Sequence, residues 1–166
     1  MNLSKQSRDL LKNYSYITES KEYKQLQKIQ RHTFTNTYDH SIRVAVLASK
    51  ISEKIRADID STVRVGLLHD FCMIDYNQDN EHEGLYLFYH PKEAIENSKS
   101  FHLTKKEERA ILTHMFPLAQ VPTSKIGWSI TLADKLVAVY EKLYGVMGVF
   151  MYFKVTWNKA VIYLFA

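Results

Sequence analysis

The 166-residue sequence predicts an all-α fold, a single-domain helical bundle spanning residues 1–166. Three observations carry that expectation. Five glycines and three prolines are too few for the many tight turns of a β fold. Hydrophobic residues make up 46% of the chain and aromatics 13%, enough to build a core and too many for a disordered chain. Apolar residues recur at spacings of three and four, the period of one helix face.

Taken in order, residues 19–30 read as a polar surface helix. Residues 37–57 form a longer helix, with Val44, Leu47, Ile51 and Ile55 on one face. Asp60 or Ser61 can cap a shorter helix that runs to about Asp70. The stretch from Phe71 to Tyr89 reads as a loop, with the acids Asp75, Asp79, Glu81 and Glu83 and a glycine at 84. Pro91 suits the first turn of a helix to about Ser100. Thr104 and Glu107 make a capping box, and the helix they start should stop before Pro117. Thr123 or Ser124 then begins a long helix to about Leu143. The tail, residues 144–166, is hydrophobic throughout. It fits a final helix packed on the same core or a homodimer surface.

The net charge of +4 is mild, and Lys50, Lys54 and Arg56 are interleaved with Glu53 and Asp58. That is the pattern of a solvated helix face, not of a nucleic-acid interface, although a small positive excess suits an anionic substrate. Cys72 is the single cysteine, so no intrachain disulfide is expected and a reducing, cytoplasmic setting fits. The first residues lack the apolar run of a secretion signal. No apolar stretch reaches the ~18 residues of a membrane span. The nearest, Leu143 to Phe153, is interrupted by Lys154.

The informative residues are polar ones on faces that should be apolar. His40 lies four residues before Val44 on the same stripe. Asp134 shares a face with Ile126, Ile130 and Val137. His114 faces the same way as Ala110 and Ile111. An ionised carboxylate inside a protein costs several kcal/mol unless it is partnered. Taken singly, each is a hydrogen-bonded core histidine or an ion-paired carboxylate. Together with the adjacent His69 and Asp70, which end a helix, they supply imidazoles and carboxylates that can converge on one point. That donor mixture suits Fe, Mn, Zn, Co or Ni better than Ca or Mg. An aspartate at a helix end can also span two metals with its two oxygens.

These residues resemble the HD-domain metal-dependent phosphohydrolases. The pattern is a histidine, a later His-Asp pair and a distant aspartate, all on helices. Here it reads as His40 in Tyr38-Asp39-His40-Ser41, then His69-Asp70 after Leu67-Leu68, then Asp134 in Leu132-Ala133-Asp134-Lys135. A subset of the family carries two more histidines in between and binds two metals. His90, before Pro91, and His114, before Met115, fit that subset, whose small bacterial members include enzymes that cleave dinucleoside polyphosphates. The resemblance implies an all-α fold of the HD type. It also implies a centre of two divalent transition metal ions (Fe, Mn, Ni or Co before Zn or Mg). His40, His69, Asp70, His90, His114 and Asp134 would be the ligands, and Asp70 would bridge. The implied activity is hydrolysis of a phosphate ester or anhydride of a nucleotide or other small phosphorylated molecule by metal-activated water.

One departure matters. Many family members follow the His-Asp pair with Ile-Gly-Lys, whose lysine meets phosphate, and here Phe71-Cys72-Met73 stands in its place. Arg43 and Lys135 are the candidate replacements, and with Asp70 they form the expected catalytic set. A di-iron oxygenase on the same fold and a metal-holding module without turnover are the alternative readings. Of the remaining residues, His32, His82 and His102 read as exposed and Cys72 as a buried inert thiol. Asp75 is a weaker candidate for orienting a ligand or water. Tyr76, Tyr86 and Tyr89 read as packing residues, with base stacking as the alternative.

Overall fold

In the computed structural model, residues 4–32, 35–73 and 86–165 are described. Ser4 caps α1 (Lys5–Lys12), and short helices α2 (Ser15–Thr18) and α3 (Lys21–Lys24) follow. A 3₁₀ turn over Gln25–Lys28 leads into β1 (Gln30–His32), which pairs antiparallel with β2 (Thr35–Asn36). The rest is helical: α4 (Thr37–Ile55), α5 (Ile59–Leu68), α6 (Tyr86–Asn97), α7 (Lys105–Thr113) and α8 (Lys125–Phe165). The fold class is all-α, as the composition predicts.

Helix α4 is the centre of the bundle and packs on both α5 and α8, while α7 packs on α8, α5 and α6. The core face of α4 differs from the predicted stripe. Ser41, Ala45, Ala48 and Ser52 are buried at spacings of four, three and four, whereas Leu47 and Ile51 are only half-buried and Ile55 is exposed. The reason is proximity: α5 lies so close that Gly66 faces the Ala45 backbone, and only small residues fit between them. At the far end, Ser52 Oγ bonds Thr62 Oγ1 of α5 at 2.8 Å and Ser129 Oγ of α8 at 2.9 Å. This satisfied buried hydroxyl chain ties the three helices together. On the other flank, Arg64 Nε donates to the buried Glu107 of α7 at 2.8 Å.

Caps set the boundaries. Asn36 caps α4, and Arg56 ends it in the left-handed region with φ 53°. Only Ala57 then separates it from Asp58, which accepts from Ser61 N and caps α5, so the cap falls two residues before the predicted Asp60. The predicted capping box of Thr104 and Glu107 is present, and α7 ends ahead of Pro117. Ser124 Oγ accepts from Gly127 N at the start of α8.

Three further expectations are corrected. The predicted polar helix over 19–30 is broken into α3, the 3₁₀ turn and β1. It is not a surface element, because Tyr23 and Leu26 are wholly buried. Helix α6 begins at Tyr86, inside the predicted loop, and takes in Pro91, whose ring removes only one backbone donor from the helix. Helix α8 does not stop near Leu143 but runs on to Phe165. Neither glycine nor proline breaks it there in a way that ends the helix. Leu143, Tyr144, Val146 and Met147 are exposed on it. Asp75, Tyr76 and His82 lie outside the described residues, as do the side chains of His32 and Tyr86. Among the described residues, no helix is long and apolar enough to cross a membrane.

Candidate metal centre

Five helices deliver six side chains to one point. His40 comes from the first turns of α4, His90 from α6 and Asp134 from α8. His69 and Asp70 stand just past the end of α5, and His114 just past the end of α7. All six are buried. His69 and His114 are the C-cap residues of their helices, and each ring Nδ1 bonds the carbonyl three residues back: Gly66 O at 2.8 Å and Ile111 O at 2.6 Å. The imidazoles thus satisfy carbonyls that a helix end leaves open, and this holds the rings in place.

The donors fall into two groups that share Asp70: His40, His69, Asp70 and Asp134 in one, and Asp70, His90 and His114 in the other. Asp70 Oδ2 faces the first group, 3.2 Å from His69 Nε2 and 3.7 Å from His40 Nε2. Its Oδ1 faces the second, 3.3 Å from His90 Nε2 and 3.6 Å from His114 Nε2. Asp134 Oδ1 completes the first group, 3.1 Å from His40 Nε2 and 3.8 Å from His69 Nε2.

Ring tautomers follow from the outer contacts. A carbonyl only accepts, so Nδ1 of His69 and of His114 carries the proton, and a neutral ring then turns an Nε2 lone pair toward Asp70. His69 Nε2 is buried without a hydrogen bond of good geometry. His90 Nε2 and His114 Nε2 lie 3.1 Å apart, aimed at the same Asp70 oxygen. His40 meets a carboxylate on each side, Glu141 Oε2 at 2.9 Å from Nδ1 and Asp134 Oδ1 on Nε2. Imidazole nitrogens and carboxylate oxygens crowded this closely in a buried pocket are an arrangement that a cation between them stabilises. Each group could hold a metal ion, and its mixture of nitrogen and oxygen donors suits a divalent one.

The electrostatics agree. Burial lowers the His69 imidazole, but Asp70 and Asp134 outweigh it and lift its pKa to about 9, so this pocket favours positive charge. Burial, followed by the neighbouring His69 and His90, outweighs the Asp70 contact at His114 and pushes that ring down, keeping it neutral as a ligand must be. Burial pushes the Glu141 carboxyl up, but His40 and Arg43 overcome this and hold it below the usual range.

The predicted site residues are thus brought together, with two placements that the sequence did not foresee. Arg43 Nη1 bonds Glu141 Oε1 at 2.5 Å on the outer side of His40. Lys135 Nζ bonds Asp134 Oδ2 at 2.8 Å and is 41% exposed, so it stands at the rim of the centre. Glu141 is the buried residue that sequence reading missed. It continues the stripe Ile130, Asp134 and Val137 at the next helical spacing, and following that stripe one step further would have found it. Elsewhere, His102 is exposed at the end of a 3₁₀ turn, Cys72 is buried and in no disulfide, and Phe71 packs on Tyr23 and Phe101, as the core requires. Met73 lies against the core.

Buried histidines and aspartates converging from the helices of an all-α bundle make a site that could hold metal ions. The family model of the HD domain matches residues 37–139, well over half of the chain, and the chain belongs to the HD domain family. That family includes metal-dependent phosphohydrolases. The match takes in all six donors and ends two residues before Glu141. No curated protein matches the chain.

Proposed function

We propose that this chain is a metal-dependent phosphohydrolase that cleaves an ester or anhydride of a nucleotide or other small phosphorylated molecule. The observation that carries the reading is Asp70, which gives one oxygen to each donor group. His40, His69 and Asp134 would hold one divalent transition ion with it, and His90 and His114 a second, with Fe, Mn, Ni or Co favoured. Ions in those places supply water activation and charge neutralisation at phosphorus. Asp70 fixes the spacing of the two groups and orients the attacking water. Lys135, at the rim, offers a cation to a phosphoryl oxygen, a service that Met73 cannot give. The buried Cys72, in no disulfide, fits a cytoplasmic setting.

The partner we propose besides the substrate is a second copy of this chain along α8. Leu132, Leu136, Val139, Leu143 and Val146 are all exposed and alternate at four and three residues, the spacing of a helix-pairing seam.

The activity test loads the protein with Mn²⁺, Fe²⁺, Co²⁺ or Ni²⁺ and offers p-nitrophenyl phosphate, bis-p-nitrophenyl phosphate, nucleotides and dinucleoside polyphosphates. We expect phosphate release that Asp70→Asn lowers by ~10³ in kcat while the fold is kept. Full metal occupancy with no hydrolysis of any of these compounds, or oxygen consumption in its place, would overturn the reading.

A further inference from the structure

Glu141 has no place in the metal groups, yet it is buried to 1% side-chain exposure and its carboxylate is divided between two partners. Oε2 lies 2.9 Å from His40 Nδ1, and Oε1 bonds Arg43. His69 and His114 turn their Nδ1 atoms to neutral carbonyls at the ends of their own helices. His40 sits at the fourth position of α4, where the helix offers no open carbonyl, and a carboxylate from α8 takes that place. An anionic acceptor holds the Nδ1 proton more firmly than a carbonyl does and makes the opposite nitrogen a better donor.

We propose that Glu141 is a positioning residue that sets the His40 tautomer and ring orientation. It thereby tightens metal binding in the His40, His69, Asp70 and Asp134 group, and leaves the group of His90 and His114 unaffected. Arg43 acts through Glu141: it neutralises the buried carboxylate and fixes its rotamer. Its 25% exposure, with Nη1 held by Glu141, accords with a strut more than with a substrate contact. This inference rests on the metal-binding reading above.

The test titrates Mn²⁺ into the full chain and reads free ion by electron paramagnetic resonance. In a His90→Ala, His114→Ala background, only the first group remains to bind. There, Glu141→Gln keeps the shape, removes the charge, and is expected to weaken Mn²⁺ affinity ~10–100-fold, the usual cost of losing such an outer partner. In a His40→Ala background, the same substitution is expected to change the remaining Mn²⁺ affinity by less than about twofold, because the atom it acts on is gone. A general structural role would weaken both. Should Glu141→Gln not fold, Arg43→Gln carries the test, with several-fold weaker affinity expected in the first background. Unchanged affinity in the first background, or equal losses in both, would overturn the inference alone. A wild-type chain that binds no Mn²⁺ would overturn it together with the metal-binding reading.

Discussion

A Cβ added to Gly66 of α5 would stand 2.6 Å from the Ala45 Cα of α4, a backbone atom that cannot swing aside. The same glycine gives its carbonyl to His69 Nδ1, so a tight α4–α5 contact and one edge of the metal centre meet at a single residue. Gly66→Ala must therefore push α5 off α4, and with it His69 and Asp70 away from His40. We expect a loss of about 1–3 kcal/mol, the usual cost of overpacking, read as a lower midpoint in thermal unfolding. We also expect weaker metal binding by calorimetry. Wild-type stability and affinity in the variant would contradict this packing.

Tyr23 links stability to alkaline pH. It is wholly buried and its hydroxyl donates to Leu67 O at 2.8 Å. Burial holds its phenol well above the ordinary value of 10. The folded ring keeps its proton where the unfolded one loses it, so its contribution is complete below about pH 10 and declines above, by about 1.4 kcal/mol per pH unit. Tyr23→Phe should cost about 1–2 kcal/mol at pH 7, since the buried carbonyl loses its donor. That gap should narrow above pH 10. Urea unfolding at pH 7, 10 and 11 measures it, and a constant gap would contradict the linkage.

Much of this was legible from the chain alone. The inward faces that carry His40, His114 and Asp134 follow from apolar spacing, because a helix buries whatever lies on its stripe. The capping box at Thr104 was legible for the same local reason. The short elements before α4 were not. Tyr23 and Leu26 are buried by tertiary packing of a polar-looking segment, which periodicity does not register. Nor was the small-residue face of α4, since alanine and serine carry little hydropathy signal and their burial depends on how close α5 comes. Glu141 was missed because a charged residue past the last family motif looked like a solvated one, and its burial depends on His40 and Arg43 reaching it from another helix.

The exposed seam of α8 gives a prediction about assembly. If two copies pair along it, the wild-type chain sediments as a dimer at micromolar concentration. Replacing Leu136 and Leu143 together by Lys should give a folded monomer, because a charge at each seam position cannot be buried without a partner. A wild-type chain that is monomeric at the same concentration would contradict the pairing.

The sharing of Asp70 between two donor groups is the centre of the functional reading, and metal stoichiometry tests it most directly. Elemental analysis after reconstitution with Mn, Fe, Co or Ni should find about two ions per wild-type chain. The double variant His90→Ala, His114→Ala should hold about one, with its helical circular dichroism unchanged. Fewer than ~0.2 ions per wild-type chain, or the same content in both proteins, would contradict a two-metal centre built on Asp70.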